Sequence, residues 1–220
     1  MEKIDLKKKY ACLYKPSAKK VEIVDVPSLS FAMVDGVIEP GHGPSTSPAF
    51  QNAVQALYGI SYTLKFTLKK RLENPIDYPV MALEGLWWVD SGEFDIRKPS
   101  NWHWTAMIMQ PEPVTADLFR DTIEELRKKK PNPALDLLRL QEFTEGLSVQ
   151  RMHLGPYSRE MDTLTVIESF CHENGYQFRG KHHEIYMGDP RRADPEKLKT
   201  ILRHPVEKID EVTHRTDNGN

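Results

Sequence analysis

One run of the 220-residue chain sets an acid between two hydrogen-bonding rings. In His182-His183-Glu184-Ile185-Tyr186-Met187, β-branched and aromatic residues alternate with polar ones, and Gly188-Asp189-Pro190 stops the run, so a short strand is expected. Successive strand side chains face opposite ways, which puts His182, Glu184 and Tyr186 on one side and His183, Ile185 and Met187 on the other. A carboxylate in that setting can take a proton from water, provided an apolar cleft desolvates it and raises its pKa. The ordinary fate of a strand glutamate is a solvated face. A second acid in a matching context argues for more: Glu84 lies near the middle of the apolar run Val80 to Val89, where a carboxylate needs a partner or a ligand.

Aromatic residues cluster near these acids. Trp87 and Trp88 follow Glu84, and Trp102 and Trp104 lie on the next expected strand, where alternation lets Trp88 share a face with Glu84 and Trp102 with Trp104. Indole and phenol faces stack on flat rings and attract cations, each contact contributing about 0.5 to 2 kcal/mol. Core packing is the default for Tyr58 and Tyr62, four apart on one helical stripe, but a buried phenol needs a partner that a cleft would supply. The candidate ligand-binding residues are therefore Tyr58, Tyr62, Glu84, Trp88, Trp104 and Tyr186. For catalysis the candidates are Glu184, activating a water, and Tyr157, donating to a carbonyl oxygen where negative charge develops, with Tyr58 as the other possible donor. Glu84 would orient the water or balance a cationic ligand.

Other chemistries find less support. His182 and His183 point to opposite faces of a strand, and no third ligand beside His182 and Glu184 is apparent, so no metal and no cofactor is expected. Gly41-His42-Gly43 lacks the Lys-Ser or Lys-Thr of a phosphate loop. Cys12 and Cys171 sit in no nucleophile elbow and match no disulfide framework, so reduced thiols are expected. A formal net charge of -2 and the lack of a basic stripe argue against direct nucleic-acid binding. The basic N-terminus has no apolar signal-peptide core, and no run is long and apolar enough to span a membrane. A cytoplasmic protein, monomer or homodimer, is the expectation.

Positioning falls to a repeated order of elements. Residues 1 to 30 read as an extension with a short amphipathic helix. Phe31 to Glu39 is a strand, 40 to 44 a Gly-Pro turn, and Ser47-Pro48 caps a helix from Ala49 to Arg71. Strands at 80–90 and 102–110 follow. Two helices, 116–130 and 134–145, form a connector spanning 112–146. Leu147 to Leu154 is a strand again, Gly155-Pro156 a turn and Met161 to Asn174 a helix; the Glu184 strand and a last strand at 198–206 precede a polar tail at 211–220. Two βαββ units, 31–111 and 147–206, would pair into one curved antiparallel sheet with both helices on one face, an α+β architecture with a central ligand cleft at the seam.

Gly155-Pro156-Tyr157, Glu173-Asn174-Gly175-Tyr176 and the run from His183 to Pro190 resemble the GyrI-like small-molecule-binding domain, similar to the effector-binding domains of multidrug-sensing activators. Ala56 to Phe66, Leu83 to Trp88 and Trp104 to Pro111 resemble a stand-alone subgroup. The resemblance spans about residues 20 to 210. It implies a cleft for planar aromatic or cationic compounds with an acid at the place of Glu184, and in some stand-alone members hydrolysis of the cyclopropane of DNA-alkylating natural products. No helix-turn-helix precedes the domain here. Three functions compete: a detoxifying hydrolase, a non-catalytic sequestering or sensing module and, well behind, an inhibitor of DNA gyrase.

Overall fold

The computed structural model describes residues 1–92, 94–96, 98, 101–188 and 193–209, so Asp189-Pro190 and the tail at 211–220 lie outside the described residues. In chain order the elements are β1 (Glu2–Lys3), α1 (Leu6–Lys9), α2 (Ala11–Tyr14), β2 (Glu22–Val37), α3 (Pro48–Lys69), β3 (Ile76–Asp77), β4 (Leu83–Trp88) and β5 (His103–Met109). Then come α4 (Ala116–Lys129), β6 (Arg139–Leu154), α5 (Glu160–Glu173), β7 (Tyr176–Phe178), β8 (His182–Tyr186) and β9 (Lys199–Lys208). Local signals set several of these limits. The Ser47 hydroxyl accepts from the Phe50 amide at 3.1 Å with Pro48 in the first turn of α3, and Thr115 caps α4 in the same way.

The duplication is present: β2-α3-β4-β5 and β6-α5-β8-β9 repeat one order, and β4 pairs with β8 at the seam. The main sheet runs β6-β2-β5-β4-β8-β9, and β6 also pairs with β9, closing the curved antiparallel sheet into a barrel with β7 appended to β9. Closure gives each of these six strands a partner on both sides over part of its length. Both α3 and α5 pack on the outer face, Phe50 of α3 against Trp87 and Trp104, and Thr163 of α5 against His153. The core accordingly has a large cluster under α3 and a smaller one under α5 built on Val149, Leu164, Ile167 and Leu202.

Two segments differ from their sequence pattern. β2 begins at Glu22, inside the stretch read as an extension, because residues 22–33 find a ladder partner in β6. The expected helix at 134–145 is only a 3-10 turn, Pro133–Leu137, after which the chain is already strand. Its helical spacing is overridden by pairing along β2, a tertiary gain that local propensity does not register.

Candidate functional site around Glu184

Strand register decides what meets what. β8 pairs Glu184 with Gly85, His182 with Trp87 and Tyr186 with Leu83, so Glu184, His182, Tyr186, Gly85 and Trp87 share the helix-covered face. β9 adds Thr200, Leu202 and His204 to that face. The Tyr186 hydroxyl donates to Glu184 Oε2 at 2.7 Å, and the Trp87 indole N–H donates to Tyr186 Oη at 3.1 Å. His182 Nε2 lies 3.0 Å from Glu184 Oε1, and its Nδ1 lies 2.7 Å from His204 Nε2. A carboxylate only accepts, so His182 Nε2 carries a proton, and in the neutral pair His204 donates to His182. Glu184 is thus the end of two hydrogen-bonded arms, one of imidazoles and one of phenol and indole.

Gly85 makes the second arm fit. A Cβ there would sit 2.7 Å from Trp87 Nε1 and 3.2 Å from Tyr186 Oη.

The electrostatics of the cluster follow from burial. His204, stacked on Phe178 with ring centroids 4.1 Å apart, is held well below its ordinary pKa by desolvation and then by the neighbouring His182. Tyr186 is raised well above the phenol value, by burial first and by the charge of Glu184 second, and so remains a donor. A further acid enters from the first turn of α5: Glu160, 2% exposed, is pushed up to about 9 by burial and then by Glu184. One carboxyl of the pair therefore holds a proton at neutral pH. Paired acids pushed apart in this way are a recurrent arrangement for dividing acid and base roles. A hydrogen bond from Thr200 offsets only a little of the rise at Glu160, and among the described residues the indole nitrogens of Trp102 and Trp104 are buried without hydrogen-bond partners.

Aromatic rings wall the cluster. Phe94 stacks on His182 with centroids 5.4 Å apart and leans on Trp102 at 4.8 Å; Trp102 in turn meets Trp87. Tyr157 stands at the rim, edge-on to Tyr186 at 5.9 Å and 38% exposed.

The structure brings Glu184, Tyr186 and Tyr157 together and puts other expected residues elsewhere. Glu84 points into the barrel, because its register partner is Ile185 and not Glu184. There it accepts from the Tyr14 hydroxyl at 2.6 Å and from His183 Nε2 at 3.0 Å, so it cannot orient a water for Glu184. Trp88 is also on the inner face, where the Lys181 ammonium lies 3.2 Å above its ring and takes the seat a ligand cation would use. Trp104 shares the face of Glu184 but is sealed beneath Phe50, its ring filling the space where a side chain on Gly36 would be. On α3 the rings of Tyr58, Tyr62 and Phe66 stack in a ladder, with Tyr62 about half exposed at 48%.

His204, Trp87 and Glu160 are the members that sequence reasoning did not place. The alternation already gave Trp87 a face opposite to that of Trp88, whereas Glu160 has no such signal. Among the described residues no group of three or more His, Cys, Asp or Glu could hold a metal ion, and no helix is long and apolar enough to cross a membrane.

With this geometry the chain superposes on solved proteins along nearly its whole length. An uncharacterized conserved protein from Listeria innocua matches at 41% identity and a TM-score of 0.84, over 93% of this chain and 100% of the other. A hydrolase from Listeria innocua matches at 39% identity and a TM-score of 0.78, with the same coverage. This chain belongs to the family of those Listeria proteins. The C-terminal domain of EcmrR matches at 12% identity and a TM-score of 0.52, over 86% of this chain and 98% of that domain, a likeness of fold alone. No family model matches the chain, and no curated relative does.

Proposed function

We propose that the protein binds a flat aromatic or cationic small molecule against the Glu184 cluster and hydrolyses it, Glu184 taking the proton of a water that opens a strained ring. One observation carries this reading: a buried carboxylate, held at both oxygens, faces a neutral acid within an aromatic wall. The relative named a hydrolase supports the reaction class. In a cyclopropane joined to a carbonyl, water oxygen bonds to a ring carbon, the ring C–C bond breaks, and its electron pair moves toward the carbonyl oxygen. Tyr157, at the rim, donates a hydrogen bond to that oxygen, and Glu160 delivers its proton to it. Glu184 is left protonated and Glu160 ionised, and return of that proton from Glu184 to Glu160 restores the pair. The indole nitrogen of Trp102, unpartnered among the described residues, is a donor for a polar atom of the ligand.

The test is incubation with a cyclopropane-containing alkylator followed by mass spectrometry. A product heavier by one water with wild type, and not with Glu184→Gln, is the expected outcome. Compound returned unchanged while tryptophan fluorescence is quenched would replace hydrolysis with sequestration, a reading favoured by the close packing around Glu184, which is only 7% exposed.

A further inference from the structure

On the inner face of the sheet, away from α3 and α5, lies a cavity of about 320 Å³ that shares no lining residue with the Glu184 cluster. Its walls come from alternate positions of neighbouring strands, Asp35 of β2, Thr105 and His103 of β5 and Trp88 of β4, with Arg139 opening β6 and Lys181 preceding β8. All but one of the wall charges are satisfied by another side chain. Arg139 grips Asp35 through both terminal nitrogens, at 2.9 and 3.0 Å, and the Thr105 hydroxyl donates to Asp35 at 2.7 Å. His103 reaches outward to Asp90 at 2.9 Å.

Lys181 differs. Its ammonium lies over the Trp88 ring, and among the described residues no carboxylate comes within ion-pair distance of it. Burial draws its pKa below the ordinary lysine value, an effect the charge of Asp35 partly offsets. Counting Lys181 and Arg139 against Asp35 leaves a cationic wall. A flat cation is therefore excluded from the Trp88 ring by the ammonium already on it, and an anion is the complement the site lacks. The volume is at the small end of the roughly 300 to 1,000 Å³ of ligand pockets, which suits a body of about one ring.

We infer that this cavity is a second binding site, separate from the Glu184 cluster, for a small oxyanion held by Lys181 against Trp88 with Arg139 beside it. Carboxylate and phosphate share the required chemistry, and the probes separate them.

The experiment is calorimetric titration of the full chain at low salt with benzoate and, separately, with inorganic phosphate. Saturable binding of at least one is expected, weakened roughly tenfold or more by Lys181→Met, as for loss of a charge-assisted hydrogen bond. Tighter binding of benzoate assigns a carboxylate ligand, and tighter binding of phosphate a phosphate. Lys181→Arg should bind within a few-fold of wild type, which separates lost charge from a misfolded variant. Glu184→Gln, on the other face, should bind as wild type does, so failure here and failure of the hydrolytic reading are distinguishable. No saturable heat with either probe, or equal affinity in Lys181→Met, overturns the site.

Discussion

Glu84 and Glu184 stand on neighbouring strands at the seam of the two halves yet point to opposite faces of one sheet, because the ladder sets Gly85 across from Glu184 and Ile185 across from Glu84. The consequence is a division of labour. Glu84 neutralises half of a buried imidazolium, since His183 directs one ring nitrogen to Glu84 and the other to Glu145, each at 3.0 Å. Glu84→Gln should therefore cost about 3 to 5 kcal/mol of stability, the penalty for a buried charge deprived of its partner, with the rate per folded molecule unchanged. Glu184→Gln should do the reverse, lowering turnover by about 10² to 10⁴ with a smaller shift in melting temperature. Thermal melts and the ring-opening assay on both variants check this; similar turnover losses in the two would undo the assignment of the outer face.

Arg203 anchors the far end of the inner network. It is 2% exposed, donates to Glu145 at 3.3 Å and Gln150 at 3.0 Å, and reaches the Leu13 carbonyl at 2.8 Å, tying α2 to the barrel. Burial alone would raise the Glu145 carboxyl, but His183 and then Arg203 outweigh it and bring it down to about 2. A depressed carboxyl contributes stability that is present above its unfolded value, about 4.5, and is lost as pH falls toward 2. Arg203→Met should thus destabilise the neutral protein by about 3 to 5 kcal/mol and move acid unfolding to higher pH. Circular dichroism across an acid titration reads both effects.

Gly85→Ala tests whether the phenol and indole arm holds Glu184. The added methyl would lie 2.7 Å from Trp87 Nε1, inside any normal contact, and the indole is packed against Phe50 and Trp102 and cannot swing away freely. Overpacking of this kind costs about 1 to 3 kcal/mol. Turnover should fall as well, because the Trp87 to Tyr186 hydrogen bond must lengthen, and a shift in tryptophan emission would report the displaced ring.

Period-two alternation made much of this legible. It places His182, Glu184 and Tyr186 on one face from residue types alone, and the repeated strand, helix, strand, strand order gives the α+β duplication. Two matters escaped it. Alternation fixes a face only within a strand, so the relation of Glu84 to Glu184 depends on a one-residue register that no local pattern specifies. Glu160 looks like an ordinary first-turn acid complementing a helix dipole, and only the docking of α5 brings it to Glu184. Trp88 and Trp104 were equally plausible ligand contacts until barrel closure sent one inward and Phe50 covered the other.

The pH dependence of stability offers a direct reading of Glu160. A carboxyl whose folded value is raised to about 9 stays protonated in the folded chain while the unfolded chain ionises above about 4.5. Its contribution is whole below 4.5, declines as pH rises through that window and is flat beyond 9. His183 declines over a narrower span: burial opposes its charge, but Glu145 and Glu84 raise it to about 9, so its contribution is whole below its unfolded value of 6.5 and lost as pH climbs from there. The two limbs separate by substitution. Glu160→Gln keeps the shape and removes the titration, so the decline between pH 4.5 and 6.5 should vanish while the His183 decline above 6.5 persists. At pH 8 the variant should be more stable than wild type by a few kcal/mol, an advantage that disappears near pH 4.5. Urea melts at several pH values settle the matter, and parallel curves for the two proteins below pH 6.5 would mean that Glu160 is not the carboxyl holding the proton.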